Sequence, residues 1–355
     1  MSRFFSSDYA ALTPYTPGEQ PRIQNLIKLN TNESPFPPSP KAQEYAKRAA
    51  ESLQLYSDPT AKKLHEVLAA KLGVEPDEVL ATNGSDEILN FAFMAYCDKT
   101  HPAAFADLTY GFYPVFAQVN GIPYTEIPTA DDFTIRKEDY FGIHKTIFIA
   151  NPNAPTGILL PKKDIEEIIA SNQDSIVVVD EAYIDFGGES CVPLIHKYDN
   201  LLVTQTFSKS RSMAGARLGF GVGCKEIIRD LNTIKYSTNP YNVNAMTMAA
   251  GIGALEDEEY TRRNCNTIIE NRAWAAEEMK KLGFHVTDSM TNFLFAKHET
   301  IDGETVFREL RARSVLVRHF TLERIRDYNR ITVGSRAQME ALVAALAEIT
   351  KGAEA

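Results

Sequence analysis

The chain has 355 residues, which at roughly 100–200 residues per domain implies two domains, each able to bury a core without disulfide or metal staples. Thirty-seven basic residues against 47 acidic ones leave a formal charge of −10, a field that repels polyanions and anionic membranes and argues against nucleic-acid binding. No apolar run exceeds seven residues, the length of 91–97, far short of the about 20 that a membrane-spanning helix needs.

The N-terminus lacks the continuous apolar stretch of a signal peptide, so the expectation is a cytoplasmic protein with no membrane partner. Cys97, Cys191, Cys224 and Cys265 are far apart and form no CxxC pair, which argues against a disulfide framework and against a metal site.

In chain order, residues 1–40 are rich in Pro, Ser, Thr and Asn (PYTPGEQ, NTNESPFPPSP), a composition that predicts an irregular arm laid over a surface. Asp58-Pro59-Thr60 sets a helix start, and Leu64, Val67, Leu68 and Leu72 follow at helical spacing. Strand-like runs that end in polar or glycine-containing turns come next, at 78–81, 103–106, 146–150, 176–179, 201–204 and 218–222. Helical patterns such as 86–96 and 162–170 separate several of them. Short β-branched runs alternating with helices predict an α/β fold with a mostly parallel sheet covered on both faces.

Residues 244–282 read as long bridging helices, after which the pattern changes. Strands are predicted at 284–287, 292–296, 315–318 and 330–333, with a helix at 304–311. A final helix carries Met339, Leu342, Val343, Leu346 and Ile349 on one side. This order predicts a smaller α+β domain. The expected division is an arm over 1–40, a large domain over 41–245, linking helices over 246–282 and a small C-terminal domain over 283–355.

Several chemistries lack their motifs. The glycines of GFGVG (from Gly219) have the wrong spacing for a dinucleotide loop, and GIGALE (from Gly251) lacks the third glycine. There is no GxxxxGK[ST], GxSxG or HExxH, and the seven histidines never fall into metal-ligand spacing.

What remains is a series of polar residues just beyond the ends of predicted strands, where open α/β sheets gather ligands. They are Ser85 and Asp86, Tyr110, Asn153, Asp180 with Tyr183, and Ser208-Lys209 followed by Arg217. Singly, each has a structural explanation: Asn153 as a turn former, Asp180 as a helix cap, Tyr110 as a core aromatic. Together they match what pyridoxal phosphate requires: a lysine for a Schiff base, an acid for the ring nitrogen and donors for the phosphate. Lys209, Asp180 and the pair Ser208/Arg217 supply these. The Gly-Ser-Asp-Glu run opens a helix whose free amides at Ser85 and Asp86 take further phosphate oxygens.

The ordered motifs N-P-N-x-P-T-G (from Asn151), D-E-A-Y (from Asp180) and S-K followed by G-x-R-x-G (Ser208, Lys209, Gly215, Arg217, Gly219) resemble those of fold-type I aminotransferases. More narrowly, K-L-N-x-N-E-S-P (from Lys28), Y-x-D-P (from Tyr56), N-G-S-D-E (from Asn83), P-Y-N-V-N (from Pro240) and R-I-T-V-G (from Arg330) resemble the histidinol-phosphate aminotransferase family. Ala154 departs from the family's more common N-P-N-N-P.

The resemblance implies an enzyme that uses pyridoxal 5'-phosphate and passes an amino group between histidinol phosphate and 2-oxoglutarate. Lys209 would be the Schiff-base lysine and proton shuttle, and Asp180 the partner of the pyridine nitrogen. Asn153 and Tyr183 would hold the ring hydroxyl, Tyr110 would stack, and Ser85, Asp86, Thr206, Ser208 and Arg217 would bind the phosphate. Tyr56 would reach the phosphate of a neighbouring subunit, making the active site a property of a homodimer. Arg330, with Arg318 beside it, would grip the substrate carboxylate or phosphate, and Tyr15 and Asn30 would contact substrate from the arm. The alternatives that share this cofactor shell are an aromatic or other amino-acid aminotransferase and a threonine-phosphate decarboxylase.

Overall fold

The structure, a computed structural model, describes residues 2–10, 12, 18, 19, 21 and 25–354. Tyr15 lies outside the described residues. A short strand, β1 (Ile27–Lys28), sits inside the stretch expected to be irregular. Ser39 accepts the Ala42 amide at 3.2 Å and Pro40 takes the first helical position, so α1 (Pro40–Ala49) starts with both N-terminal signals in place. Helix α2 (Lys62–Leu72) begins later than the Asp58-Pro59-Thr60 sequence predicts. Asp58 holds the preceding turn instead, accepting the amides of Thr60 at 2.9 Å and Lys62 at 3.0 Å.

Strands and helices then alternate: β2 (Val79–Thr82), α3 (Ser85–Tyr96), β3 (Ala103–Ala106), α4 (Tyr113–Val119), β4 (Tyr124–Ile127), β5 (Thr146–Ala150), α5 (Lys162–Ser171) and β6 (Val177–Asp180). Two strands without an α-helix between them, β7 (Leu201–Thr206) and β8 (Gly219–Gly223), complete a seven-stranded sheet ordered β2-β8-β7-β6-β5-β3-β4. From β7 to β4 all neighbours are parallel, whereas β8 runs antiparallel to both β7 and β2. The short connection across 207–218 permits this, because an antiparallel neighbour needs no helical crossover.

Val177, Val178 and Val179 point alternately to the two faces, and all three are buried. One face packs Ile147, Val179 and Val203 against Ile165 and Ile168 of α5. The other packs Phe148, Val178 and Leu202 against Leu89 and Phe93 of α3. Burial on both faces explains why these strands read as continuous apolar runs.

Helices α6 (Lys225–Thr238), α7 (Ala245–Leu255) and α8 (Glu258–Lys281) follow. The stretch expected to bridge two domains is shared between two cores: α7 puts Ala250 and Ala254 into the core of the large sheet, while α8 puts Ile268, Ala275 and Met279 into a second core. That second core lies around β9 (Phe284–Val286), β10 (Phe293–His298), α9 (Gly303–Ala312), β11 (Val315–Leu316), β12 (Arg318–His319), β13 (Asn329–Thr332) and α10 (Arg336–Glu354).

Four of these strands form an antiparallel sheet ordered β12-β13-β10-β9. The single strand expected over 315–318 is broken at Val317, with β11 pairing in parallel with β1 and β12 pairing with β13. Through that pairing the chain's early residues join its late ones, and Leu29, 1% exposed, enters the second core.

Candidate active site

The parallel strands end on one edge of the large sheet, and the start of α3 faces the same edge. A cavity of about 240 Å³ opens there, lined by Ser85, Asp86, Tyr110, Asp180, Tyr183, Thr206, Ser208, Lys209 and Arg217. The structure therefore brings these nine expected site residues together across 133 positions of sequence, from 85 to 217.

One end of the cavity is built for an anion. Gly84 precedes α3 with φ +77°, and no side chain caps the helix, which leaves its first amides facing the cavity edge. A Cβ on Gly84 would come within 2.5 Å of Arg217 Nη2, and one on Gly219 within 2.4 Å of the Ser85 nitrogen. Only glycine lets β8, Arg217 and the helix start approach this closely. Arg217 has φ +54°, a left-handed backbone that is costly for a side-chain-bearing residue and that the surroundings must enforce. Its guanidinium donates to Asp86 Oδ2 at 3.1 Å and to Ser208 Oγ at 3.5 Å. The Thr206 hydroxyl donates to the same Ser208 Oγ at 3.0 Å.

Asp180, the last residue of β6, is 5% exposed and accepts the Tyr113 hydroxyl at 3.1 Å and the Ala182 amide at 3.2 Å. Burial pushes its carboxyl up to about 7. A cationic ring nitrogen beside it would favour the ionised form. Tyr110 donates to Asp86 Oδ1 at 2.7 Å, and burial, reinforced by the Asp86 charge, holds its phenol well above the usual range. The Tyr183 hydroxyl accepts from Asn32 Nδ2 at 2.9 Å, and the Lys209 ammonium lies 5.7 Å from the Tyr183 ring centre. The loop after Lys209 is tied down by hydrogen bonds from Ser210 to Asp185 and from Ser212 to Ser34.

Some expected site residues stand elsewhere. Asn153 does not line the cavity: its amide donates to the Leu108 carbonyl at 2.9 Å and accepts from the Thr109 hydroxyl at 2.8 Å, bracing the turn that carries Tyr110. Asn30 is buried, donates to the Glu19 carbonyl at 2.8 Å, and accepts through its own carbonyl from Arg330 at 3.2 Å. Its backbone carbonyl thus supports Arg330. Arg318 and Arg330 line an adjoining cleft of about 600 Å³ that shares Tyr110 with the first cavity. Tyr56 lies outside both, 85% exposed and stacked on Tyr241 with ring centres 4.7 Å apart.

The sequence reading did not single out Tyr113, Asn32, Thr31 or Glu33. The last two line the cavity. Burial works against the Glu33 charge, but hydrogen bonds from Lys28 and Thr31 hold its carboxyl below the usual range. The run K-L-N-x-N-E-S-P contains three of these four residues, so a signal was present; Tyr113 carried none.

The donor set and the glycine cradle fit an aromatic phosphate that carries an aldehyde: one lysine, one buried carboxylate, a tyrosine at the wall and anion donors at one end. Fold and site together are those of a lysine-centred α/β enzyme. A family model described as aminotransferase class I and II matches residues 24–346, and the chain belongs to that family. A relative named histidinol-phosphate aminotransferase, from Aromatoleum aromaticum, is 46% identical over 99% of this chain and 100% of its own. Among solved structures, the histidinol-phosphate aminotransferase of Sinorhizobium meliloti in complex with pyridoxal-5'-phosphate superposes with a TM-score of 0.84 at 23% identity, covering 92% of this chain and 91% of that one. An aspartate aminotransferase mutant from Thermus thermophilus superposes equally well, at 0.84 with 21% identity, over 98% of this chain and 100% of that one. The fold is thus common to enzymes with different substrates.

Proposed function

We propose that the chain transfers an amino group between histidinol phosphate and 2-oxoglutarate, giving imidazole acetol phosphate and glutamate, in histidine biosynthesis. The observation that carries this reading is the 46% identity with the Aromatoleum relative over essentially the whole of both chains. The cofactor is pyridoxal 5'-phosphate, which when bound supplies an electron sink for the pair released at the substrate Cα.

In this reading Lys209 would hold the cofactor through its Nζ and, when free, would carry a proton at that atom to and from the substrate Cα. Asp180, oriented by Tyr113, keeps its negative charge against the ring nitrogen. Tyr183, fixed by Asn32, orients the ring hydroxyl, and Tyr110 covers the ring face. Ser85, Asp86, Thr206, Ser208 and Arg217 bind the phosphate.

Arg330 grips the α-carboxylate of glutamate in one half-reaction and the substrate phosphate in the other, with Arg318 as a second contact. A planar, permanently charged fork suits both anions. The protein works as a homodimer in which Tyr56 reaches the partner's phosphate site; the exposed cluster of Leu53, Leu55, Tyr56 and Tyr241 supports this. It works in the cytoplasm, a setting supported by four unpaired cysteines. Its large lobe over 41–245 holds the cofactor and its small lobe over 283–355 brings the arginines, with 246–282 linking them and 1–40 as the arm.

The test is a substrate panel run on purified protein loaded with pyridoxal phosphate: histidinol phosphate, phenylalanine and threonine phosphate, each with 2-oxoglutarate. Preference for histidinol phosphate is expected, and preference for phenylalanine would sink the substrate assignment. Lys209→Ala should lose turnover by about 10³-fold or more and should no longer be labelled covalently on borohydride reduction.

A further inference from the structure

The geometry points to Arg324 as a positioning residue that sets the spacing between the two walls of the substrate cleft, an inference that rests on the aminotransferase reading. One wall is the 107–110 turn, which follows β3 and ends on Tyr110. The other is the 318–330 segment, which carries Arg318 and Arg330. The walls are 217 residues apart at the point where Arg324 meets Asp107.

Arg324 spans them with a complete fork. Its Nη1 donates to Asp107 Oδ2 at 2.9 Å and to Thr129 Oγ1 at 2.8 Å, and its Nη2 donates to the Thr129 carbonyl at 2.9 Å and to the Ala130 carbonyl. The second Asp107 oxygen accepts the Thr129 amide and hydroxyl, each at 2.9 Å. One guanidinium and one carboxylate therefore join the ends of β3 and β4 to the small lobe.

Contacts run from this clamp to both walls. Toward the arginines, the Arg324 guanidinium lies 5.4 Å from the Phe133 ring, Phe133 meets Phe295 at 5.8 Å, and Phe295 meets Phe320 at 6.0 Å. The guanidinium groups of Arg318 and Arg330 each lie 5.9 Å from the Phe320 ring. Toward the cofactor side, Asp107 leads directly into the Leu108-Thr109-Tyr110 backbone that Asn153 braces.

The side chains of Arg324 and Asp107 are 31% and 29% exposed, a setting in which an ion pair contributes modestly to stability. Four donated bonds from a rigid planar fork nevertheless fix a distance and an angle. The clamp's effect should fall on how firmly Arg318 and Arg330 hold the substrate's anion, a loss of binding shared by the ground state and the transition state.

The experiment compares wild type, Arg324→Ala, Asp107→Asn and the double variant as cofactor-loaded enzymes. In both single variants KM for glutamate and for histidinol phosphate should rise about tenfold or more, with kcat changed much less. Cofactor absorbance and affinity should stay at wild-type values. The double variant should be no worse than either single one, because both break the same link. Arg324→Lys should fail to restore KM, since an ammonium cannot span four acceptors.

A lowered melting temperature with unchanged KM per loaded subunit would overturn the proposal and leave Arg324 a purely structural residue. If the wild type turns over neither substrate, the aminotransferase reading itself fails, and hydrogen exchange still tests the clamp. Faster exchange at both 107–110 and 318–322 in Arg324→Ala supports it, and a change confined to 323–326 overturns it.

Discussion

Asp180 and Glu181 are adjacent buried carboxyls with separate partners. Asp180 is bonded by Tyr113 and Ala182, and Glu181 accepts from Ser190 at 2.6 Å and Gln205 at 2.8 Å. Burial pushes each up to about 7. A carboxyl raised above its unfolded value binds its proton more tightly in the fold than in the open chain. The stability it contributes is therefore complete below about pH 4 and is lost as pH rises through about 7. The melting temperature of the cofactor-free protein should fall between pH 5 and 8, and Asp180→Asn should make that fall shallower. Loading with pyridoxal phosphate should also flatten it, because a ring cation favours the ionised Asp180. A slope unaltered by Asp180→Asn would show that Asp180 is not one of the responsible groups. At this scale Lys209, Asp180 and Arg217 were legible because a demanding cofactor needs those functional groups at strand ends. Tyr113 was not, since its hydroxyl rides in a mostly apolar run (YPVFAQV) and only the packing of α4 aims it at Asp180. Asn153 was legible as a residue of its turn, but its bonds to Leu108 and Thr109 were not, because they depend on where the 108–109 segment lies.

Among the elements, β8 and the start of α3 are held at a separation that no side chain could share. A methyl group on Gly219 would meet two backbone atoms of residues 84 and 85 at 2.4 and 2.5 Å, and neither can rotate away. Gly219→Ala should therefore cost about 1–3 kcal/mol in urea unfolding and weaken pyridoxal phosphate binding, measured by absorbance titration, by about tenfold or more. Unchanged cofactor affinity would mean that the cradle tolerates a wider gap than the contacts suggest. The parallel strands were legible from sequence because burial on both faces writes them as unbroken apolar runs, as in VVVD over Val177–Asp180. Two-residue strands have no such signature: β1 and β11 are specified by each other, and nothing in Ile27 or Lys28 alone marks a strand. The break at Val317 escaped for the same reason, as did Arg324, one arginine in a charged stretch whose partners lie at 107, 129 and 130.

For the whole molecule, a charge of −10 does not preclude a local concentration of cations: Lys209, Arg217, Arg318 and Arg330 are gathered at one sheet edge and its adjoining cleft. The exposed Tyr56–Tyr241 pair lies outside both. Sedimentation should find a dimer, and Tyr56→Phe should keep that dimer while weakening cofactor binding about tenfold, the loss of one hydrogen bond to a charged group. A monomeric wild type, or a Tyr56→Phe protein with unaltered cofactor affinity, would remove Tyr56 from the site. The pairing of the early strand β1 with β11, together with the bond from the Asn32 amide to Thr332 across 300 positions, also orders events during synthesis. At roughly 5–20 residues per second, the ribosome releases residues 27–32 some 15–60 s before their partners exist. The large sheet, whose strands all lie before residue 224, can assemble in that interval. The segment that carries Thr31, Asn32 and Glu33 is made well before the 315–332 segment that places it, so a nascent chain cannot close this site until residue 332 has emerged.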